Sequence, residues 1–311
     1  MAIRSGFVCI IGRPNAGKST LLNALAGEKL AIVSPKPQTT RSRVLGVIHM
    51  QRKKNQPAAQ IVLIDTPGIH RPDSSLGRKM MAEVRAALDG CDLVLVITDA
   101  TRRIEREDEH LLNFVKKSST PAFLLLNKVD LLRDNKGRLL PMIEQYSKLH
   151  GFGEVIPISA RKKQGLDLLI EKVARTLPQG PSYFPEDQIT DQPTRFMAAE
   201  LIREQVLFAT SEEVPHSTTV VIEEFEEGTK LTRIAAAIFC EREGQKAILI
   251  GRRGQMLKTI GTAARIEIER MMGTKVFLEL FVKVKPNWRE SRQFVEELDW
   301  RKQLEHMIAE N

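Results

Sequence analysis

GFVCIIGRPNAGKST, residues 6–20, decides how the rest of the chain is read. Its first seven residues are a short apolar run that predicts a buried strand, and Lys18–Leu25 opens apolar residues at helical spacing. The loop between them fits G-x-x-x-x-G-K-[ST], with Gly12, Gly17, Lys18 and Ser19 at the fixed positions. Set between a strand and a helix, that pattern has a mechanism. A loop through Gly12, Arg13, Pro14, Asn15, Ala16 and Gly17 turns backbone N–H groups toward phosphate oxygens. The helix that follows, with Thr20 in its first turn, adds the positive end of its dipole. Lys18 is expected to reach the β- and γ-phosphates, and the Ser19 hydroxyl to sit on Mg²⁺. By itself the loop also suits an ordinary glycine-rich turn, so later motifs must decide.

Two do. QIVLID, residues 60–65, is a second buried run ending in an acid, followed by Thr66, Pro67 and Gly68. Asp65 is expected to hold Mg²⁺ through a water, because this ion takes few carboxylates and keeps its waters. Gly68 lets a backbone N–H approach the γ-phosphate with no Cβ in the way. A third run, Phe123–Leu126, delivers Asn127, Lys128 and Asp130. The Asp130 carboxylate matches the N1–H and N2–H₂ donors of guanine, a pair that adenine lacks, so an ATP site is a poor reading. Lys128 can lie along the base, and Asn127 can tie this loop to the phosphate loop. Ser159 and Ala160, after the strand Glu154–Ile158, are expected to offer backbone N–H groups to guanine O6. The ligand these motifs describe together is GTP, with GDP as product.

A switch segment should lie between the phosphate loop and Asp65, carrying a Thr that closes over Mg²⁺. Pro37, Gln38, Thr39, Thr40 and Arg41 supply it, with Thr40 the first choice and Thr39 the alternative. The metal ligands expected are therefore Ser19, Thr40 and Asp65, and the catalytic roles fall on Lys18, Thr40 and Asn15.

The second half carries a different signal. Ile250, Gly251, Arg252, Arg253 and Gly254 form a G-x-x-G loop ahead of a helix over 255–272, which includes Lys258, and a strand over 275–284. Two strand-like runs, 217–225 and 231–240, and a helix over 194–208 precede it. Glycines let the main chain approach a nucleic-acid backbone while arginines neutralise phosphates. Ile248, Ile250 and Ile260 are read as an apolar wall for unpaired bases. Charge supports a local polyanion site: residues 246–289 hold ten Lys and Arg against three Asp and Glu, whereas residues 186–245 hold five against thirteen. G-x-x-G alone equally marks a helix–turn–helix. Arg52-Lys53-Lys54 and Arg161-Lys162-Lys163 read as solvated faces or as further RNA contacts.

The α-β-β-α-α-β order around G-x-x-G resembles a bacterial-type (type II) KH domain. The motifs of the first half, with Gln38-Thr39-Thr40-Arg41 and Phe184-Pro185-Glu186-Asp187, resemble the Era family of translation-factor-class GTPases over almost the whole chain. The resemblance implies a doubly wound α/β P-loop GTPase domain with a smaller α+β KH domain. It implies a GTP-driven switch that holds the 3′ end of 16S rRNA and assists assembly of the small (30S) ribosomal subunit. It also implies peripheral contact with the inner membrane, for which the sequence offers no amphipathic anchor. A GTPase acting on another RNA such as tRNA, or an RNA-binding protein with GTP as structural cofactor, stays open at this stage. Ras-like enzymes position the attacking water with a Gln after the D-x-x-G turn. Here Ile69 and His70 follow Gly68, and His70 is a candidate for that role. Asn15 is expected to help hold a K⁺ ion that bridges the phosphates, a feature some related GTPases share.

Composition frames these readings. A chain of 311 residues with 42% hydrophobic content and a net charge of +8 can form two domains with cores. Division is expected at 1–177, a Pro-rich linker 178–193, and 194–311 with a C-terminal helix over 289–308. Cys9, Cys91 and Cys240 show no metal or disulfide spacing, and no run of 18 apolar residues occurs, which suggests a soluble, monomeric cytoplasmic protein.

Overall fold

The computed structural model describes residues 3–52, 57–69, 72–132 and 136–302. The chain forms two units: residues 1–31, 40–71 and 80–191 make the first, and residues 32–39, 72–79 and 192–311 the second. This grouping differs from the division expected at 177, because two short internal segments join the second unit and the Pro-rich stretch through Asp191 joins the first.

Apolar runs in the first unit become a seven-stranded sheet of β1 (Ile3–Gly12), β2 (Val44–Met50), β3 (Ala59–Asp65), β4 (Leu93–Asp99), β5 (Ala122–Asn127), β6 (Glu154–Pro157) and β7 (Gln179–Gly180). Their order is β2-β3-β1-β4-β5-β6, with β7 paired to β1. β3, β1, β4, β5 and β6 run parallel, while β2 and β7 are antiparallel additions. Every residue of β3, β4 and β5 is buried, which is why their sequences are continuous rather than alternating apolar runs. Helices α1 (Lys18–Ala26), α2 (Ser75–Asp89), α3 (Arg106–Val115), α4 (Leu139–Leu149) and α5 (Leu166–Thr176) alternate with the strands. Met81, Val84 and Leu88 of α2 join Leu111, Leu112 and Val115 of α3 in one core with Val94 and Val96 of β4. Parallel register places Gly12, Asp65, Asp99 and Asn127 at or near the carboxyl ends of neighbouring strands. Ligands of open parallel sheets bind in the crevice outside those ends.

The stretch 178–191 is held closely within the first unit. Gln60 accepts the Tyr183 and Phe184 N–H groups at 2.6 and 3.1 Å and donates to the Phe184 carbonyl at 2.7 Å, while the Tyr183 ring meets Phe7 at 4.7 Å. A single buried glutamine thus satisfies three main-chain groups that proline-rich chain leaves without a ladder.

The second unit runs α6 (Thr194–Ala209), β8 (Thr219–Glu226), β9 (Leu231–Cys240), α7 (Glu243–Ile250), α8 (Gln255–Met272) and β10 (Lys275–Val284). That is the expected α-β-β-α-α-β order. The sheet order is β10-β9-β8, with β8–β9 antiparallel and β9–β10 parallel. Ala198, Ile202 and Val206 of α6 and Ile260, Ala264 and Ile268 of α8 close over Ile234, Ala236 and Ile238 of β9. The continuous helix expected over 289–308 is not observed. α9 spans only Arg292–Glu297, the chain leaves the helix at Leu298 and Asp299, and Asp299 accepts the Arg301 backbone N–H at 3.1 Å to cap a new helical turn that starts at Trp300. Leu304 and Ile308 lie outside the described residues, as do Lys53, Lys54 and His70.

Candidate functional site

Side chains from four strand ends meet at the top of β1. Lys18 is buried at the start of α1 and donates to the carbonyls of Gly12 and Arg13, both at 3.1 Å. Burial lowers its ammonium to about 8, against the partial support of Asp65. Asp65 is fully buried, and burial raises its carboxyl to about 6 although Lys18, Ser19 and Thr40 favour the anion. A cationic and an anionic group are thus kept dry, close and ready for stronger partners.

Ser19 Oγ donates to Asp65 Oδ2 at 2.6 Å and lies 2.8 Å from Thr40 Oγ1, which itself donates to Asp65 Oδ2 at 3.3 Å. The two candidate threonines are separated by this geometry. Thr39 turns its hydroxyl to the Lys36 carbonyl and Ser34 Oγ, each at 2.7 Å. Two hydroxyls gathered on one carboxylate make a set of hard oxygen donors that fits Mg²⁺, which prefers oxygen and needs few protein ligands when phosphates supply the rest. Among the described residues no group of three His, Cys, Asp or Glu is placed to hold a metal. Thr66 Oγ1 donates to the Ile10 carbonyl at 2.8 Å, fixing the turn after β3. A Cβ on Gly68 would stand 2.9–3.0 Å from Pro14, so this glycine is required by the phosphate loop itself as well as by open access.

The glycine and asparagine of the loop carry its curvature: Gly17 has φ 105° and the exposed Asn15 has φ 62°. Arg13, whose main chain belongs to the expected phosphate loop, sends its guanidinium to Asp108 of α3 at 3.1 Å and to Glu105, the residue capping that helix, at 2.9 Å. Asp108 also accepts from Tyr146, whose hydroxyl lies 2.9 Å from Thr98. The Arg13 guanidinium thus ties the phosphate loop to the start of α3.

At the base end, Asn127 Nδ2 donates to the Ala16 carbonyl at 2.8 Å and Oδ1 accepts the Ala160 N–H at 3.0 Å. The expected tie to the phosphate loop is present. The expected offer of N–H groups by Ser159 and Ala160 is not, because the Ser159 N–H donates to the Gln164 carbonyl at 3.0 Å and Asn127 takes that of Ala160. A small hairpin closes the first donor and the Asn127 side chain the second. Lys128, at φ 68°, donates to Asp99 Oδ2 at 2.7 Å. Burial alone would raise the Asp99 carboxyl, but bonds from Lys128 and Thr101 hold it below the usual carboxylate range. Asp99 was visible in principle, since LVLVITD ends in an acid just as QIVLID does. Asp130 Oδ1 is buried with no hydrogen-bond partner among the described residues, an acceptor available to a ligand's N–H.

In the second unit, α7 ends at Gly251 (φ 70°), Arg253 takes φ 51° and Gly254 φ 77° before α8 begins. Arg252, Arg253 and Lys258 are exposed. Gly254, Leu257, Lys258, Arg265, Leu278 and Leu280 are among the residues lining a groove of about 380 Å³. The apolar wall differs from the one expected. Ile260 is 1% exposed and belongs to the core, because a helix position facing β9 cannot also face the groove. Leu257 of α8 and Leu278 and Leu280 of β10 take its place.

Residues 7–128 match the family described as 50S ribosome-binding GTPase, and residues 213–289 match the KH domain. GTPase Era of Ruminiclostridium cellulolyticum is 47% identical over 302 residues, covering 97% of this chain and 99% of that protein. The chain belongs to the Era family. GTPase Era of Geobacter metallireducens is 48% identical over 299 residues, or 96% of this chain and 98% of that protein. A crystal structure of an Aquifex aeolicus Era variant bound to GDP and AlF₄⁻ matches with a TM-score of 0.90 at 42% identity, covering 96% of this chain and 99% of the other. Era in complex with MgGDPNP and nucleotides 1506–1542 of 16S ribosomal RNA gives the same TM-score, identity and coverage. This Era-family chain is therefore a GTPase, a P-loop α/β domain joined to a KH domain, as its motifs led one to expect.

Proposed function

We propose that this Era-family GTPase uses its nucleotide state to time the binding of single-stranded RNA from the 3′ end of 16S rRNA during assembly of the 30S subunit. One observation carries the reading: the chain matches, over 96% of its length, a structure holding both MgGDPNP and that RNA segment. Its own residues fit both ligands. Ser19, Thr40 and Asp65 would hold Mg²⁺, which when bound neutralises charge on the phosphates. Lys18 exchanges its two loop carbonyls for phosphate oxygens, and the buried Asp130 oxygen receives a guanine N–H. Arg252 and Arg253 meet the RNA backbone while Leu257, Leu278 and Leu280 face bases.

Asn15, exposed and left-handed at the lip of the loop, is the residue we assign to a bound K⁺. Equal hydrolysis rates in K⁺ and Na⁺ buffers would remove that assignment. Cys9, Cys91 and Cys240 are free thiols, which suits action in a reducing cytosol. Among the described residues no helix is long and apolar enough to cross a membrane. The deciding experiment measures affinity for a short 16S 3′-end RNA with GDP or a non-hydrolysable GTP analogue, at fixed salt. Tighter binding with the analogue is expected. Equal affinity in both states would overturn the timing role.

A further inference from the structure

The helix that opens the KH-bearing unit carries two charged residues that neither the fold nor the RNA groove explains. Arg203 and Glu204 sit in the middle of α6 and are 2% and 3% exposed. Long charged side chains are rarely buried this deeply without a specific partner. Here the partners are main-chain groups of residues 32–39, the segment that ends at the Thr39–Thr40 peptide and belongs to the same unit as α6.

Glu204 Oε1 accepts the Val33 N–H at 2.9 Å. Arg203 Nη2 donates to the Thr39 carbonyl, and Nε donates to Glu200 Oε1 at 2.7 Å. Ile32 is buried in the α6–α8 core, and Thr39 closes its own hydroxyl on Ser34 and Lys36. The segment is therefore gripped at both ends and turned on itself between them. Its last carbonyl is one covalent step from Thr40, whose hydroxyl stands 2.8 Å from Ser19 Oγ.

We propose that Arg203 and Glu204 are positioning residues for Thr40, latching residues 33–39 in the conformation that favours GTP over GDP.

The chemistry of the latch suits a contact made in one state and released in another. The Arg203–Glu200 pair lies within one helix and survives release of the segment. Arg203 Nη1 is buried with no hydrogen-bond partner among the described residues, a cost that pure stability would not retain. Each grip is a charge-assisted bond to the main chain, so it holds the path of the chain whatever side chains lie between. The segment after Asp65–Gly68 behaves alike. In the second unit the Leu76 N–H donates to the Arg289 carbonyl at 3.0 Å and Ser75 Oγ to the Glu290 carbonyl at 2.9 Å. Chain adjoining both nucleotide-sensing motifs is thus held by main-chain bonds inside this unit.

The proposal rests on reading Thr40 as the switch hydroxyl, and the test separates the two. Affinities of fluorescent GDP and of a fluorescent non-hydrolysable GTP analogue are measured across Mg²⁺ concentrations for the full chain. Arg203→Met and Glu204→Ala should each weaken analogue binding about tenfold, as expected when the competent conformation falls to about a tenth of the population. They should also raise the Mg²⁺ needed for half-saturation and leave GDP affinity within about twofold. Glu204→Gln keeps an acceptor for Val33 and should keep the wild-type ratio. Arg203→Lys keeps the charge without the fork and should fall between. Folding is checked through the thermal transition and fluorescence of the buried Trp288. If Arg203→Met does not fold, Arg203→Lys and Glu204→Ala carry the test. Folded variants with an unchanged analogue-to-GDP ratio, beside a Thr40→Ala that loses it, overturn the latch. An unchanged ratio in Thr40→Ala overturns the reading of Thr40, and the latch with it.

Discussion

The nucleotide pocket and the RNA groove are built on opposite principles. In the pocket the functional side chains are buried before any ligand arrives: Lys18, Asp65 and Asn127 are at most 6% exposed, and each is held by two or more hydrogen bonds. In the groove Arg252, Arg253 and Lys258 stand in solvent, with no ion pair to these three found among the described residues. A buried constellation concentrates its free energy in a few pairings, so one deletion removes most of it. An exposed basic lip spreads modest contributions over many contacts.

Lys18→Ala should test the first half of that contrast most severely. It removes a buried cation and takes one of two donors from each of the Gly12 and Arg13 carbonyls. Single-turnover phosphate release should slow on the order of 10²–10³-fold, the loss typical of one preorganised electrostatic donor. A loss under about tenfold would put this site on the same footing as the groove.

Asp130→Asn should come next. The carboxylate becomes an amide that offers one acceptor and one donor, so guanine loses a partner and gains a clash of donors. GTP affinity should fall about 100-fold, two buried pairings at about 1.4 kcal/mol each. Xanthine nucleotides, which carry a carbonyl where guanine carries an amine, should bind the variant better than GTP does. Competition binding with both nucleotides reads the swap, and retained guanine preference would show that Asp130 does not read the base.

What could be read from the chain follows the same divide. Strand ends and glycine spacing declared the pocket because β3, β4 and β5 are buried on both faces, so their sequences are unbroken and their last residues fall at the ligand crevice. Local spacing could not show that Arg13 turns to Glu105 and Asp108, roughly ninety residues away, or that the Ser159 and Ala160 N–H groups are already engaged. The groove failed differently. Ile248, Ile250 and Ile260 look equivalent in sequence, yet Ile248 is 49% exposed and Ile260 1%. Which face of a helix meets the sheet depends on packing that no run of seven residues contains. Ile260→Ala should therefore cost at least about 2 kcal/mol of stability in urea unfolding. Ile248→Ala should stay within about 0.5 kcal/mol. Similar costs for both would return Ile260 to the groove wall.

Arg253→Ala should have the smallest effect and be the most diagnostic. The arginine is exposed at φ 51°, between the two glycines, so alanine removes charge without opening a cavity. A residue that meets only phosphate contributes equally to every sequence and through released counterions. Affinity for the 16S 3′-end RNA and for an unrelated single strand should then fall together, by a few-fold, and the slope of log K against log salt should become shallower by about 0.7. If the loss were confined to the cognate RNA at an unchanged slope, Arg253 would be reading bases. The groove would then resemble the pocket, with specificity held by single pairings rather than by its basic lip.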